Sequence, residues 1–156
     1  MGVSYSVPMS NLVIRQAEDI DLERVLEIYR EAEIGTEQFL PEEAQEQLGV
    51  LRKYPSYRVF VAERDGELVG TYELLIIDNL AKRGRKSAIV EDVAVANAHK
   101  GCGIGRQMIQ HAMNLAKEAR CYKLVLSSNL KREDAHSFYE KLGFEKHGYS
   151  FRVDIV

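Results

Sequence analysis

Cysteine is scarce: the 156 residues contain two, Cys102 and Cys121. Two cannot build a disulfide framework or a metal cluster, so no metal is expected. They read as reduced thiols in a cytoplasmic protein. A basic excess is missing too. The formal net charge is -3, which argues against a nucleic-acid partner, because such proteins carry a positive footprint. No apolar run approaches the ~20 residues that span a bilayer, so no membrane partner is expected. The N-terminus lacks a basic segment followed by an apolar core, the mark of a secretory signal. Internal repeats and linkers are absent. What remains is an ordinary globular composition, 46% hydrophobic and 29% charged, of a length that suits one domain with one core.

Residues 1–11 contain Pro8 and show no period, and they read as a flexible leader. The domain is expected over 12–156. Leu12-Val13-Ile14 predicts a first strand. Asp19 or Asp21 can cap a helix whose apolar stripe is Leu22, Val25, Leu26 and Tyr29. A second helix is expected from Pro41 towards Leu51, with Ala44, Leu48 and Leu51 inward. The connection between them, around Gly35 and Thr36, is either a substrate wall or a plain turn. Tyr57–Glu63 alternates as a strand, Asp65-Gly66 signals a tight hairpin, and Glu67–Asp78 returns. The loop Asn79–Lys86, with Lys82, Arg83, Arg85 and Lys86, is either a solvated turn or a contact for an anionic group.

Ala88–Val95 is nearly all apolar, which predicts a central strand with neighbours on both sides. A glycine-rich turn follows, then a helix with Ile104, Met108, Ala112, Leu115, Ala116 and Ala119 on one side. Lys123–Leu126 predicts a strand. Ala135, Phe138, Tyr139 and Leu142 predict a helix that Gly143 ends, and Tyr149–Val156 predicts a closing strand. The order is β-α-α-β-β-β-α-β-α-β, a single-domain α/β fold with a mixed sheet flanked by helices.

The turn Lys100-Gly101-Cys102-Gly103-Ile104-Gly105-Arg106 joins the central strand to the strongest helical pattern. Amides at a helix start lack intrahelical acceptors, and the helix dipole adds positive potential there. Such a turn suits an anion. Two well-known phosphate loops do not fit. A dinucleotide fingerprint from Gly101 needs glycine where Arg106 stands, and a nucleotide loop needs a closing Gly-Lys-Ser/Thr.

Val93-Ala94-Val95 through Lys100-Gly101-Cys102-Gly103-Ile104-Gly105 resembles the acetyl-CoA motif of the GNAT N-acetyltransferase superfamily, Arg/Gln-x-x-Gly-x-Gly/Ala. So does Phe138-Tyr139-Glu140-Lys141-Leu142-Gly143-Phe144, and the element order is similar from Leu12 onward. Lys100 departs from the usual Arg or Gln. Arg132 stands where many members have Asn, which makes Asn129 the candidate for the missing amide. Ile89–Val95 with Cys121-Tyr122-Lys123-Leu124 is similar to glucosamine-6-phosphate N-acetyltransferases. Leu126-Ser127-Ser128-Asn129 with Asp134-Ala135-His136 is more similar to aminoalkylphosphonate N-acetyltransferases.

The resemblance implies direct transfer of an acetyl group from acetyl-CoA, as co-substrate, to a primary amine of a small molecule that carries a phosphate or phosphonate. Backbone at Val93, Ala94 and Val95 would hold pantetheine, and Lys100 to Arg106 the pyrophosphate. Tyr139 is the family's position for the acid that protonates the leaving thiolate; the same stripe also fits a core tyrosine. Glu91 and Asp92 are adjacent carboxylates that point to opposite faces of a regular strand. One of them accepts the amine's proton, or the pair only binds substrate and water. Two other readings stay open: a non-catalytic CoA-binding regulatory module, and a protein or peptide N-acetyltransferase. A homodimer through the last strand would cover an otherwise open sheet edge.

Overall fold

Asp65 and Gly66 sit at φ of 52° and 81°, the left-handed pair that a two-residue hairpin requires. They join β2 (Tyr57–Arg64) to β3 (Glu67–Ile77), as the sequence predicts. The computed structural model describes residues 11–35, 37 and 39–155. The expected leader, apart from Asn11, lies outside them. The other elements are β1 (Leu12–Gln16), α1 (Leu22–Glu31), α2 (Pro41–Leu51), β4 (Ser87–Val95), α3 (Ile104–Glu118), β5 (Lys123–Val125) and α4 (Glu133–Lys141). They build a single-domain mixed sheet in the order β1-β2-β3-β4-β5. The first four strands are antiparallel neighbours, and β5 lies parallel to β4. A parallel pair needs a long crossover, which α3 supplies.

Alternation along the strands sends side chains to two layers. Phe60, Ala62, Tyr72 and Leu74 meet Ile104, Met108, Ile109, Ala112 and Ala116 of α3. On the opposite face Val59 and Val61 meet Leu22 and Val25 of α1 and Ala44 and Leu48 of α2. Each large apolar side chain so buried contributes about 1.5–3 kcal/mol. The predicted stripes hold, with additions: Ile28 and Ile109 are also fully buried. Among the described residues no helix is long and apolar enough to cross a membrane.

Polar contacts fix the ends of α1. Glu31 accepts a hydrogen bond from the Asn97 amide at 2.6 Å and pairs with Arg24 at 3.0 Å. Arg24 also donates to the Leu68 carbonyl at 3.3 Å. The chain that enters the glycine turn is thereby tied to α1 and the sheet. At the other end, Asp21 makes no side-chain cap on α1. It turns back, accepting the Glu18 amide at 2.8 Å and both Arg15 terminal nitrogens at 2.6 and 2.9 Å.

The closing strand expected at Tyr149–Val156 is absent over 149–155; Val156 lies outside the described residues. Gly143 does end α4, at φ 92°, but the described residues beyond it form no helix or strand. Alternating apolar residues make a strand only where a ladder partner exists, and none pairs with this segment among the described residues.

Asp21→Ala is expected to lower the unfolding free energy by about 1.5–3 kcal/mol at neutral pH, the scale of hydrogen bonds to charged groups, read by urea denaturation. The hydrogen bonds from Arg15 hold the Asp21 carboxyl below its ordinary value. A depressed carboxylate stabilises above its unfolded value of about 3.9, and that contribution vanishes as pH falls through the folded value. The gap between wild type and variant should stay open at neutral pH and close in strong acid.

Candidate active site

The pairing of β4 with β5 covers Ser87, Ala88 and Ile89 against Lys123, Leu124 and Val125, and then stops. Beyond it the two chains part. On its other edge β4 stays paired with β3, but with one extra residue. Thr71 faces Ala94 and Glu73 faces Glu91, so Asp92 and Val93 stand opposite Tyr72 alone. This is a β-bulge, and Asp92 takes φ 48° to make it. Bulges bend a strand and re-aim its side chains. Val90 packs in the α3 layer, whereas Ala94 packs against Ile28 of α1. Residues four apart on a regular strand share a face; here they do not.

The parted strands enclose a cleft of about 120 Å³, lined by Ile34, Val90, Glu91, Asp92 and Val93 on one side and Leu126, Ser127, Ser128, Arg132 and Tyr139 on the other. Ile34, at the start of the α1–α2 connection, is the residue of that connection that lines the cleft among the described residues. The regular-strand expectation for the acidic pair is corrected by the bulge: Glu91 and Asp92 both line this one cleft. Ala96 gives its amide to the Val69 carbonyl at 2.9 Å. Ladder amides alternate in direction, so the Val95 amide points the other way, to the side from which β5 has withdrawn.

Behind Glu91 lies a carboxylate that the motif reading did not single out. Glu73 is buried and directly across the ladder from Glu91, so the two share a face. Tyr57 donates its hydroxyl hydrogen bond to Glu73, and Tyr29 of α1 donates another at 3.3 Å. Burial raises the Glu73 pKa, and Asp92 and Glu91 raise it further, against the two tyrosine donors. Burial also raises Glu91, with help from Asp92, and raises Asp92 itself. None of the three carboxylates has an ion-pair partner among the described residues. Three carboxyl groups with raised pKa values thus gather where β4 bulges, the kind of cluster that marks chemistry. The sequence does carry a signal: Glu73 is a lone charge inside an apolar strand. Tyr29 and Tyr57 join it only through tertiary pairing.

Tyr139 forms part of the opposite wall. Its ring stacks edge-on against Phe138 and Phe144, at 5.1 and 5.7 Å between centroids. Burial raises its pKa, opposed by Arg132, so the phenol keeps its proton at neutral pH. The Gly105 position explains how α4 comes so close: a Cβ there would meet the Phe138 ring at 3.3 Å. Gly105 therefore serves packing between α3 and α4. Gly101 and Gly103 differ. They have φ of 76° and 78°, and a Cβ on either would meet nothing within 4 Å. Left-handed backbone requires glycine there, and the space in front is open. The first intrahelical bond nearby runs from Gln107 to the Gly103 carbonyl at 3.2 Å, which leaves the Ile104, Gly105 and Arg106 amides without helical acceptors. Lys100, Cys102 and Arg106 are exposed around them, while the Ile104 side chain anchors the helix in the core.

Some expected residues lie elsewhere. The Ala94 side chain is buried and offers only backbone. Asn129 does not line the cleft; its carboxamide oxygen accepts the Lys131 amide at 2.9 Å. The basic loop at 79–86 precedes β4, at the end away from the cleft. Arg132 is the one cation among the lining residues.

A sequence model described as the Acetyltransferase (GNAT) family matches residues 22–144. A glucosamine 6-phosphate N-acetyltransferase of Trypanosoma brucei brucei is 34% identical over 98 residues, 63% of this chain and 65% of that protein. An aminoalkylphosphonate N-acetyltransferase of Salmonella typhimurium strain LT2 is 30% identical over 97 residues, 62% of each. The matched stretch thus spans a little under two thirds of these curated relatives. A solved structure from Agrobacterium tumefaciens str. C58 superimposes with a TM-score of 0.86 at 31% identity, over 92% of this chain and 99% of that one.

The buried carboxylate can be read directly. Carbon-13 NMR titration of Glu73 is expected to give a midpoint above the ordinary glutamate value of about 4.3. Tyr57→Phe removes a donor to the charged form and should raise that midpoint further. A midpoint at or below the ordinary value, or a fall in the variant, contradicts the geometry.

Proposed function

The chain belongs to the GNAT acetyltransferase family, and on that premise we propose that it transfers an acetyl group from acetyl-CoA directly to the primary amine of a small molecule. The observation that carries this reading is the cleft between β4 and β5. Proton acceptors stand on one wall, a protonated phenol stands on the other, and an amide-rich glycine turn follows β4. Acetyl-CoA fits what is present. The glycine turn has open space before Gly101 and Gly103 for a pyrophosphate, and the outward Val95 amide suits an amide-bearing pantetheine arm. When bound, this co-substrate supplies an activated thioester.

The chain's own residues would then do the following. Amides from Lys100 to Arg106 hold the anionic end, with the side chains of Lys100 and Arg106 adding charge. Backbone at Val93 and Val95 aligns the acyl end, where amides can also stabilise developing negative charge on oxygen. The amine arrives protonated, and Glu91 or Asp92 takes its proton directly or through water. Their raised pKa values bring them nearer to neutral pH, which suits a base. Tyr139 Oη gives its proton to the departing sulfur.

The acceptor we propose carries a phosphate or phosphonate, the class named for two relatives. Arg132, the one cation that lines the cleft, supports this reading. Free cysteines at 102 and 121 suit a reducing compartment, and we place the protein in the cytoplasm.

A thiol-release assay with acetyl-CoA tests the activity across amino sugar phosphates, aminoalkylphosphonates, amino acids, polyamines and peptides. Release with a phosphate- or phosphonate-bearing amine is the expected result. No release with any amine, despite tight CoA binding, would favour a binding module. Release only with peptides would move the acceptor to proteins. Tyr139→Phe should lower kcat by about 100-fold, the scale of a positioned proton donor, and leave acetyl-CoA affinity nearly unchanged. Equal turnover of wild type and variant at every pH would remove Tyr139 from the acid role.

A further inference from the structure

Glu73 is the buried titratable group that the transfer steps leave unused. Its neighbours Tyr72 and Leu74 turn into the α3 layer. Its own side chain turns to the α1 face, where Tyr29 and Tyr57 donate to it, and it is 9% exposed. The titratable groups facing it are those two phenols, from α1 and β2, and Glu91 and Asp92 from β4. No cation pairs with it among the described residues. A carboxyl buried without a counter-charge costs free energy, so packing alone does not call for one. Glu91, exposed in the cleft, is directly across the ladder. Opposed residues on one face hold their Cβ atoms about 5 Å apart, a span that two glutamate side chains bridge directly or through one water.

The amine has two protons to lose. One leaves the ammonium before attack, and the second leaves the nitrogen that attack has made cationic. A Glu91 that has taken the first cannot take the second. We propose that Glu73 resets Glu91 within each turnover by taking the first proton across the ladder. An ammonium N–H bond breaks and an O–H bond forms on Glu91; that O–H breaks and another forms on Glu73. Glu91 is again a carboxylate, so it stabilises the cationic nitrogen and removes its second proton. Tyr139 gives one proton to sulfur. On product release one of the two stored protons restores Tyr139 and the other goes to water, so the count balances. Glu73 touches no reacting atom; it is a positioning residue that acts through Glu91. Its two phenol donors favour the ionised form that receives, and burial with the neighbouring carboxylates favours taking the proton up. The relay rests on acetyl transfer with Glu91 as base.

The pH profile of kcat/KM, read by thiol release, tests the relay beside the carbon-13 titration of Glu73. Glu73 must be ionised to accept, so the rate should fall as pH drops through its midpoint, and the kinetic limb should coincide with the NMR midpoint. Glu73→Gln keeps an oxygen for both phenols but cannot take a proton. It should lower kcat by about 100-fold, move the limb at least about one pH unit lower, and leave acetyl-CoA affinity unchanged. The amine's own titration is common to both proteins and cancels in the comparison. A limb that stays in place in Glu73→Gln, or a kcat close to the wild-type value, overturns the relay. Should that variant misfold, Tyr57→Phe decides. Its NMR midpoint and its limb should rise together, and a limb that stays while the midpoint rises overturns the relay. Either contrary result, with thiol release by the wild type, removes the relay and leaves acetyl transfer standing. No release by the wild type with any amine removes acetyl transfer, and the relay with it.

Discussion

The site depends on a ladder that stops. β4 and β5 share three residue pairs and then separate, and a separated strand leaves backbone donors and acceptors without partners. Buried polar groups do not stay unpaired without cost, so the opening is a place where a polar ligand substitutes for a strand. Everything around it serves to hold the gap open. The long antiparallel pairs β2–β3 and β3–β4 keep the sheet stiff on one side. α3 spans the underside and fixes β4 through Val90, Ile104 and Met108. α4 comes close enough to build the far wall because Gly105 has no side chain to keep Phe138 away.

Charge is also separated along β4 and the turn that follows it. Three carboxylates cluster at the bulge, each with its pKa raised mainly by burial. The glycine turn at the end of β4 presents amides and the exposed Lys100 and Arg106. Glu31 contributes to this arrangement at a distance, since its carboxylate holds the Asn97 amide and so sets where the turn begins. Two tyrosines keep Glu73 hydrogen-bonded, which lets a carboxylate persist in the apolar layer beneath Glu91.

Much of this was legible in the residues. Helices and strands followed from periodicity because their apolar faces meet a single layered core. Tyr139, singled out by the family resemblance, lines the same cleft as Glu91 and Asp92, which stood out as adjacent carboxylates on a strand. Other features were hidden for definite reasons. Glu73 with Tyr29 and Tyr57 is a non-local cluster, and no spacing along the chain expresses it. The bulge at Asp92 arises from a mismatch between two strands, whereas a pattern read along one strand assumes a constant alternation. The tail at 149–155 shows the opposite case. Its alternation is clear, but a strand needs a partner, and composition does not say where the partner lies.

The bulge has a consequence for how this chain can vary in length. One extra residue in β4 sets the phase of everything after it: Val93 and Val95 lie towards α3, and Ala94 and Ala96 lie towards α1. Removing a single residue there would restore a regular ladder and turn the end of the strand over, with valines in the narrow space that now holds alanines. The loop at 79–86 shares no core contact with either cluster and imposes no such phase. Insertions and deletions among homologous chains should therefore collect before β4 and be excluded between Glu91 and Val95, even where individual side chains there are free to change.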